Sequence, residues 1–183
     1  MRLQALIPLV LSVCALTSSV ATTSDATQAF TIPSGKNLHL TIPPELRWES
    51  AADDKGSVTI KIRPQDGSFE HLISTLPLLD KQTADMMDEN MMAYLLVTRA
   101  KELLDRSVEK EIKLEKLEGA HGAAFYYCLT DAREVLPEGE FRNMCQGFVV
   151  LKRLRLTFTV LMNQRKPETI DLALDIVRSA KYR

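Results

Sequence analysis

The sequence predicts an α+β protein, a largely antiparallel β-sheet covered by two helices. Three observations lead there. Short apolar runs alternate with polar residues and are separated by turn signals. One long stretch in mid-chain has helical spacing without Gly or Pro, and Pro167 opens a second near the end. Strands joined by tight hairpins rather than by crossover helices pair antiparallel, and helices then cover the sheet.

The elements follow in order. Phe30-Thr31-Ile32 and the alternating segment 38–42 flank Pro33-Ser34-Gly35-Lys36-Asn37, a hairpin signal. Pro43-Pro44 ends the second strand, and Trp48 follows in an extended or turn segment. Segment 57–62 places Val58, Ile60 and Ile62 on one face, Asp66-Gly67 turns the chain, and 69–76 is the next strand. A helix is expected over 83–104, capped by Thr83 or Asp85. Segment 108–117 alternates through Ile112 and Leu114 and reads as a strand. Strands 123–130 and 144–151 flank a charged loop with Pro137 and Gly139. The last strand is 154–162, with Lys152-Arg153 as either a turn or the middle of one bent strand. The closing helix carries Ile170, Ala173, Leu174, Val177 and Ala180 on one face. The expected order is β-β-β-β-α-β-β-β-β-α.

The 183 residues are 45% hydrophobic and 26% charged, which suits a single folded domain and excludes disorder. With 23 basic against 24 acidic residues, there is no electrostatic footprint for nucleic acid. Segment 1–21 has Arg2, an apolar run, and small residues at Ser19 and Ala21, the pattern of a secretory signal cleaved after Ala21. Its apolar run is shorter than the roughly 20 residues that span a bilayer. A buried first element is the other reading. Leu11-Ser12-Val13-Cys14 loosely resembles a lipobox, with Val13 a poor fit, so lipidation of Cys14 is an alternative route. The organisation expected is a signal over 1–21, a flexible segment over 22–29 and one domain over 30–183. No transmembrane segment is expected in the mature chain, which would be periplasmic or secreted.

Cys128 and Cys145 are the two cysteines beyond the signal, an even number in an exported chain. If strands 123–130 and 144–151 pair antiparallel, the two can sit opposite each other and form a disulfide. Closing a loop of that size is worth on the order of 3 kcal/mol. Buried free thiols or a metal pair are the alternatives, but no His lies within a few residues of either cysteine.

The run Phe30-Thr31-Ile32-Pro33, then Leu40-Thr41-Ile42-Pro43-Pro44 and Trp48, with the final strand–helix pair, resembles the PsbP/Mog1-like superfamily. Gly119, Phe125-Tyr126-Tyr127, Thr130-Asp131, Gly139-Glu140-Phe141, Gln146-Gly147 and Leu156-Thr157-Phe158-Thr159 further resemble a group of exported proteobacterial proteins. The resemblance spans about residues 30–180. It implies an α/β/α sandwich and a role in binding or assembly, and brings no catalytic motif. The two cysteines are not part of its general pattern.

Nothing in the chain assembles a reaction. His39, His71 and His121 form no ligand pair, and no nucleophile elbow, phosphate loop or dinucleotide fingerprint occurs. Neither an enzyme nor a cofactor is expected. The methionines Met86, Met87, Met91 and Met92 fall within two turns of the expected helix. Thioethers favour Cu(I), whereas Met also fills core gaps. On a helical wheel Met86, Met92, Ala93, Leu96, Val97, Ala100, Leu103 and Leu104 form one broad stripe, and Met87, Met91, Tyr94 and Leu95 form another. Only one stripe can face the sheet. The second is the expected site for an envelope partner or an apolar ligand, unless the loop after Leu76 or the N-terminal segment covers it. The function expected is a non-catalytic binding or assembly factor, with a small-molecule or metal carrier as the alternative.

Overall fold

The computed structural model describes residues 26–32, 35–54, 56–76, 88–152 and 154–183. The segment expected to be a signal, 1–21, with Cys14 and the expected cleavage site, lies outside these residues, as do Thr83, Asp85, Met86 and Met87. The elements are β1 (Ala26–Thr31), β2 (Asn37–Ile42), β3 (Arg47–Ala52), β4 (Val58–Arg63), β5 (Phe69–Leu76), α1 (Glu89–Leu104), β6 (Glu115–Lys116), β7 (Ala124–Thr130), β8 (Asn143–Leu151), β9 (Leu154–Met162), α2 (Pro167–Arg178) and β10 (Lys181–Tyr182). Seven strands form one sheet in the order β3-β4-β5-β9-β8-β7-β6, and three form a second in the order β1-β2-β10. Every pairing is antiparallel. The class is α+β, with two helices against antiparallel sheets, as the hairpin pattern predicts.

Period-two alternation decides which side of the large sheet becomes core. Leu154, Leu156, Phe158, Val160 and Met162 of β9 are buried on one face, together with Val58, Ile60 and Ile62 of β4 and Ile73 of β5. The small sheet lays Phe30, Leu38, Leu40 and Ile42 into the same core, and α2 adds Ala173, Leu174, Ile176 and Val177. Fully burying side chains such as Leu38 and Leu40 contributes about 2 kcal/mol each. Trp48 joins the two sheets by packing edge-on against Phe30, with ring centroids 5.1 Å apart. The opposite face meets α1 over β7 and β8, where Leu96 and Ala100 pack on Tyr127 and Leu129.

Gly147 is required by a close approach. A Cβ there would collide with the Phe125 carbonyl oxygen and the Phe158 ring, which lies across β8 opposite Gly147. Leu151 pairs with Leu154, so the chain reverses between β8 and β9 and is not one bent strand. Lys152 adopts φ 59°, a left-handed conformation that tight hairpin turns demand.

Four expectations change. β1 begins at Ala26, so Ala26–Ala29 belong to a strand rather than to a flexible lead. The segment of Trp48 is extended, the first of its two readings, but it forms a full strand, β3, that adds one to the expected order, held by its ladder with β4 from Arg47↔Arg63 to Ala52↔Val58. Segment 108–117 is a strand only at Glu115–Lys116, because Ile112 and Leu114 turn away to pack in the cluster beneath α1. α1 begins at Glu89 and not near residue 83. Asp88 is extended at φ −73°, ψ 174°, and its side chain accepts a hydrogen bond from the Met91 N–H at 2.8 Å, capping the helix there.

Candidate functional site

The antiparallel register of β7 and β8 sets Cys128 directly opposite Cys145. Their sulfurs are bonded, with the Cα atoms 4.0 Å apart, as the sequence predicts. Cys145 is buried in the main core, while Cys128 borders a cavity of about 410 Å³ at the β7 edge. That cavity is walled by Glu109, Lys110, Glu111, Lys113, Glu115 and Arg165. Its charges are already engaged on one side. Glu109 accepts from the Thr130 N–H at 2.7 Å and from Thr130 Oγ1 and Arg165 Nη1, each at 3.0 Å. Burial works to raise the Glu109 carboxyl, but these hydrogen bonds and the Arg165 charge hold it below its usual range. Glu115 accepts from the Tyr126 hydroxyl at 2.5 Å. Burial, then this carboxylate, pushes Tyr126 up to about 12.

Asp131 anchors the loop that follows β7. Arg133 donates to it through Nε and Nη2, and these hydrogen bonds hold its carboxyl below the usual carboxylate range. Arg133 also reaches Glu140 at 2.5 Å, and Arg142 donates to the Arg133 and Glu134 carbonyls. This network orders the loop between β7 and β8.

On α1 the structure separates the two stripes. Met92, Leu96 and Ala100 are buried, whereas Met91, Tyr94 and Leu95 are 44%, 66% and 39% exposed. Met87, the fourth member of the outer stripe, lies outside the described residues. Of the four expected sulfurs, the described helix carries Met91 outside and Met92 inside, and Met86, like Met87, lies outside the described residues. Among the described residues no group of three or more His, Cys, Asp or Glu side chains is placed to hold a metal ion.

Two features escape a reading of the sequence. His71, on β5, is fully buried between Ile62 and Val160, edge-on to Phe158, and neither ring nitrogen has a hydrogen-bond partner. Burial pushes its imidazole down to about 3, so it is neutral at pH 7. Arg155, on β9, has a buried Nε without a partner beside a small apolar cleft under Leu95. A polar residue inside an alternating strand is the only sequence signal for either.

No protein-family model matches the chain, and no curated protein is significantly similar to it. A crystal structure from Bacteroides thetaiotaomicron VPI-5482 at 1.50 Å is similar at TM-score 0.48 and 12% identity. The match takes in 87% of this chain and 49% of that one, so the chain spans about half the length of that protein. No helix among the described residues is long and apolar enough to cross a membrane.

Proposed function

We propose that the protein is an exported, non-catalytic binding or assembly factor of the bacterial cell envelope, one that docks a partner protein on the outer face of α1. The observation that carries this reading is the exposure of Met91, Tyr94 and Leu95 on consecutive turns of a helix whose inner face is already buried. Flexible thioether and aromatic side chains suit an adaptable protein contact. The Cys128–Cys145 disulfide suits an oxidising compartment, and the secretory pattern of residues 1–21 agrees with it. The PsbP/Mog1-like resemblance points the same way.

A small-molecule carrier is favoured less. The cavity of about 410 Å³ has a suitable size, but its walls are charged side chains of both signs. Ligand pockets are mostly apolar with a few placed polar groups. The apolar cleft under Leu95, at about 50 Å³, holds little more than one side chain. The test is Met91→Ser with Leu95→Ser, used as bait against an envelope extract beside the unaltered chain. Lost capture of a defined partner at an unchanged melting temperature supports docking. A melting temperature lower by several degrees, with capture intact, refutes it and makes the stripe structural.

A further inference from the structure

β3 closes one end of the seven-stranded sheet, so among the described residues one side of its backbone has no neighbouring strand. Which groups face outward follows from the ladder. The Asp53 N–H donates to the Ser57 carbonyl on the β4 side at 2.9 Å, and the Val58 N–H turns the other way, to Thr75 of β5. Backbone groups alternate sides along an antiparallel strand. Arg47, Glu49 and Ala51 therefore bond to β4, and the N–H and C=O of Trp48, Ser50 and Ala52 point away from the sheet. Among the described residues no hydrogen bond takes up these outward groups. Sheet edges are ordinarily blunted by Pro, Lys, a bulge or a very short strand. β3 has none of these, and its six residues pair with β4 without interruption. Ser50, Ala51 and Ala52 are small and exposed, which lets a second backbone come close.

Charge selects what pairs with this edge. Arg47 stands directly opposite Arg63, both are exposed, and no ion pair among the described residues takes up either guanidinium. Like charges directly opposite each other destabilise a ladder. Glu49, by contrast, faces Lys61. An acid brought beside Arg47 across the open edge offsets the repulsion, and the chain carries one at the matching spacing. Asp53 continues the face of Arg47, Glu49 and Ala51 just past the far end of β3, where its Oδ1 accepts the Ser57 N–H at 2.8 Å.

We propose that β3 pairs antiparallel with β3 of a second copy of this chain, about a twofold axis at Ser50. This register sets Ser50 opposite Ser50, Trp48 opposite Ala52, Glu49 opposite Ala51 and Arg47 opposite Asp53. Every outward N–H of either strand then meets an outward carbonyl of the other. The neighbouring registers fail. A shift toward the start of β3 sets Glu49 against Glu49, or calls on Leu46, whose N–H already serves the Pro43 carbonyl. A shift toward its end sets Glu49 against Asp53. Segment 77–87 joins the end of β5 to the start of α1, and β4 separates β5 from β3. α1 lies over β7 and β8, toward the other end of the sheet, so this pairing stands independently of the docking role of α1.

The experiment is sedimentation velocity of the protein expressed from its full sequence, from about 1 µM to about 1 mM. A strand-edge interface is small, so a dimer that dissociates on dilution within this range is expected. Ser50→Pro removes the outward N–H at the axis without touching a bond to β4, and an edge strand tolerates Pro where its N–H faces out. It should keep the chain monomeric throughout, with Tm within a few degrees of the unaltered protein. Arg47→Glu sets acid against Asp53 at both ends of the dimer while giving Arg63 a partner within the chain. It should weaken the dimer at least tenfold without lowering Tm, and it decides the question if Ser50→Pro fails to fold. On oxidation Ser50→Cys should link two copies, because facing residues of a hydrogen-bonded pair lie about 5.5 Å apart. Glu168→Cys should not. A monomer at every concentration overturns the proposal. So does a dimer indifferent to both Ser50→Pro and Arg47→Glu, which places self-association elsewhere, α1 included. Failure of Ser50→Cys to link copies that do dimerise overturns it too.

Discussion

Acidification from pH 7 to pH 5 should destabilise the fold through one residue, His71. In the unfolded chain its imidazole has the usual pKa near 6.5, while in the folded state burial pushes it down to about 3. The unfolded state therefore binds the proton first. The stabilising difference is complete above the unfolded value and is lost as pH falls from about 6.5 toward 3. Integrated from pH 7 to pH 5, the loss is about 2 kcal/mol, a large share of the 5–15 kcal/mol typical of a domain. Glu109, Asp131 and Asp66 have carboxyls held below their usual values, so their contributions persist down to more acid pH than this window. Urea unfolding at pH 7 and pH 5, on the unaltered chain and on His71→Leu, measures the effect. The substitution should remove most of the loss, because it fills the same apolar site between Ile62 and Val160 without a group that titrates. Equal losses in the two proteins would refute the reasoning.

Other predictions follow from the packing. Replacing both Cys128 and Cys145 with Ala opens a link with a sequence separation of 17 and should cost about 3 kcal/mol. Thermal unfolding should show this as a fall of about 6–12 °C in Tm, and an unchanged Tm would remove the disulfide from the account. Gly147→Ala should destabilise by about 1–3 kcal/mol or more, since the new methyl meets both a backbone oxygen and the Phe158 ring. Chemical denaturation checks it, and a neutral result would mean that β8 and β9 can separate locally at little cost.

Where one face of a strand is core and alternation is strict, the sequence is easily read. β4, β8 and β9 carry their inward residues at every second position, and the Cys128↔Cys145 register follows from the hairpin that joins β7 to β8. β3 is different. Its sequence Arg-Trp-Glu-Ser-Ala-Ala has one large inward side chain, Trp48, whose partner Phe30 comes from the other sheet. Segment 108–117 alternates convincingly, yet its Ile112 and Leu114 serve the α1 cluster and leave most of the β7 edge to side-chain contacts such as Glu109–Thr130. At the start of α1 the sequence offers several residues chemically able to cap, and the extended backbone of Asp88 and its bond from the Met91 N–H mark it as the cap of this helix. The outer stripe is legible because helical spacing alone separates Met91, Tyr94 and Leu95 from Met92, Leu96 and Ala100.

The central claim is that the outer face of α1 is a contact surface for a partner protein. A photo-crosslinking amino acid at position 94, introduced into the full chain in cells, tests it most directly. Position 168, exposed at the start of α2, serves as the control. The account predicts a discrete adduct from position 94, lost when Met91 and Leu95 are changed to Ser, and none from position 168. No adduct from position 94, or the same adducts from both positions, would contradict it.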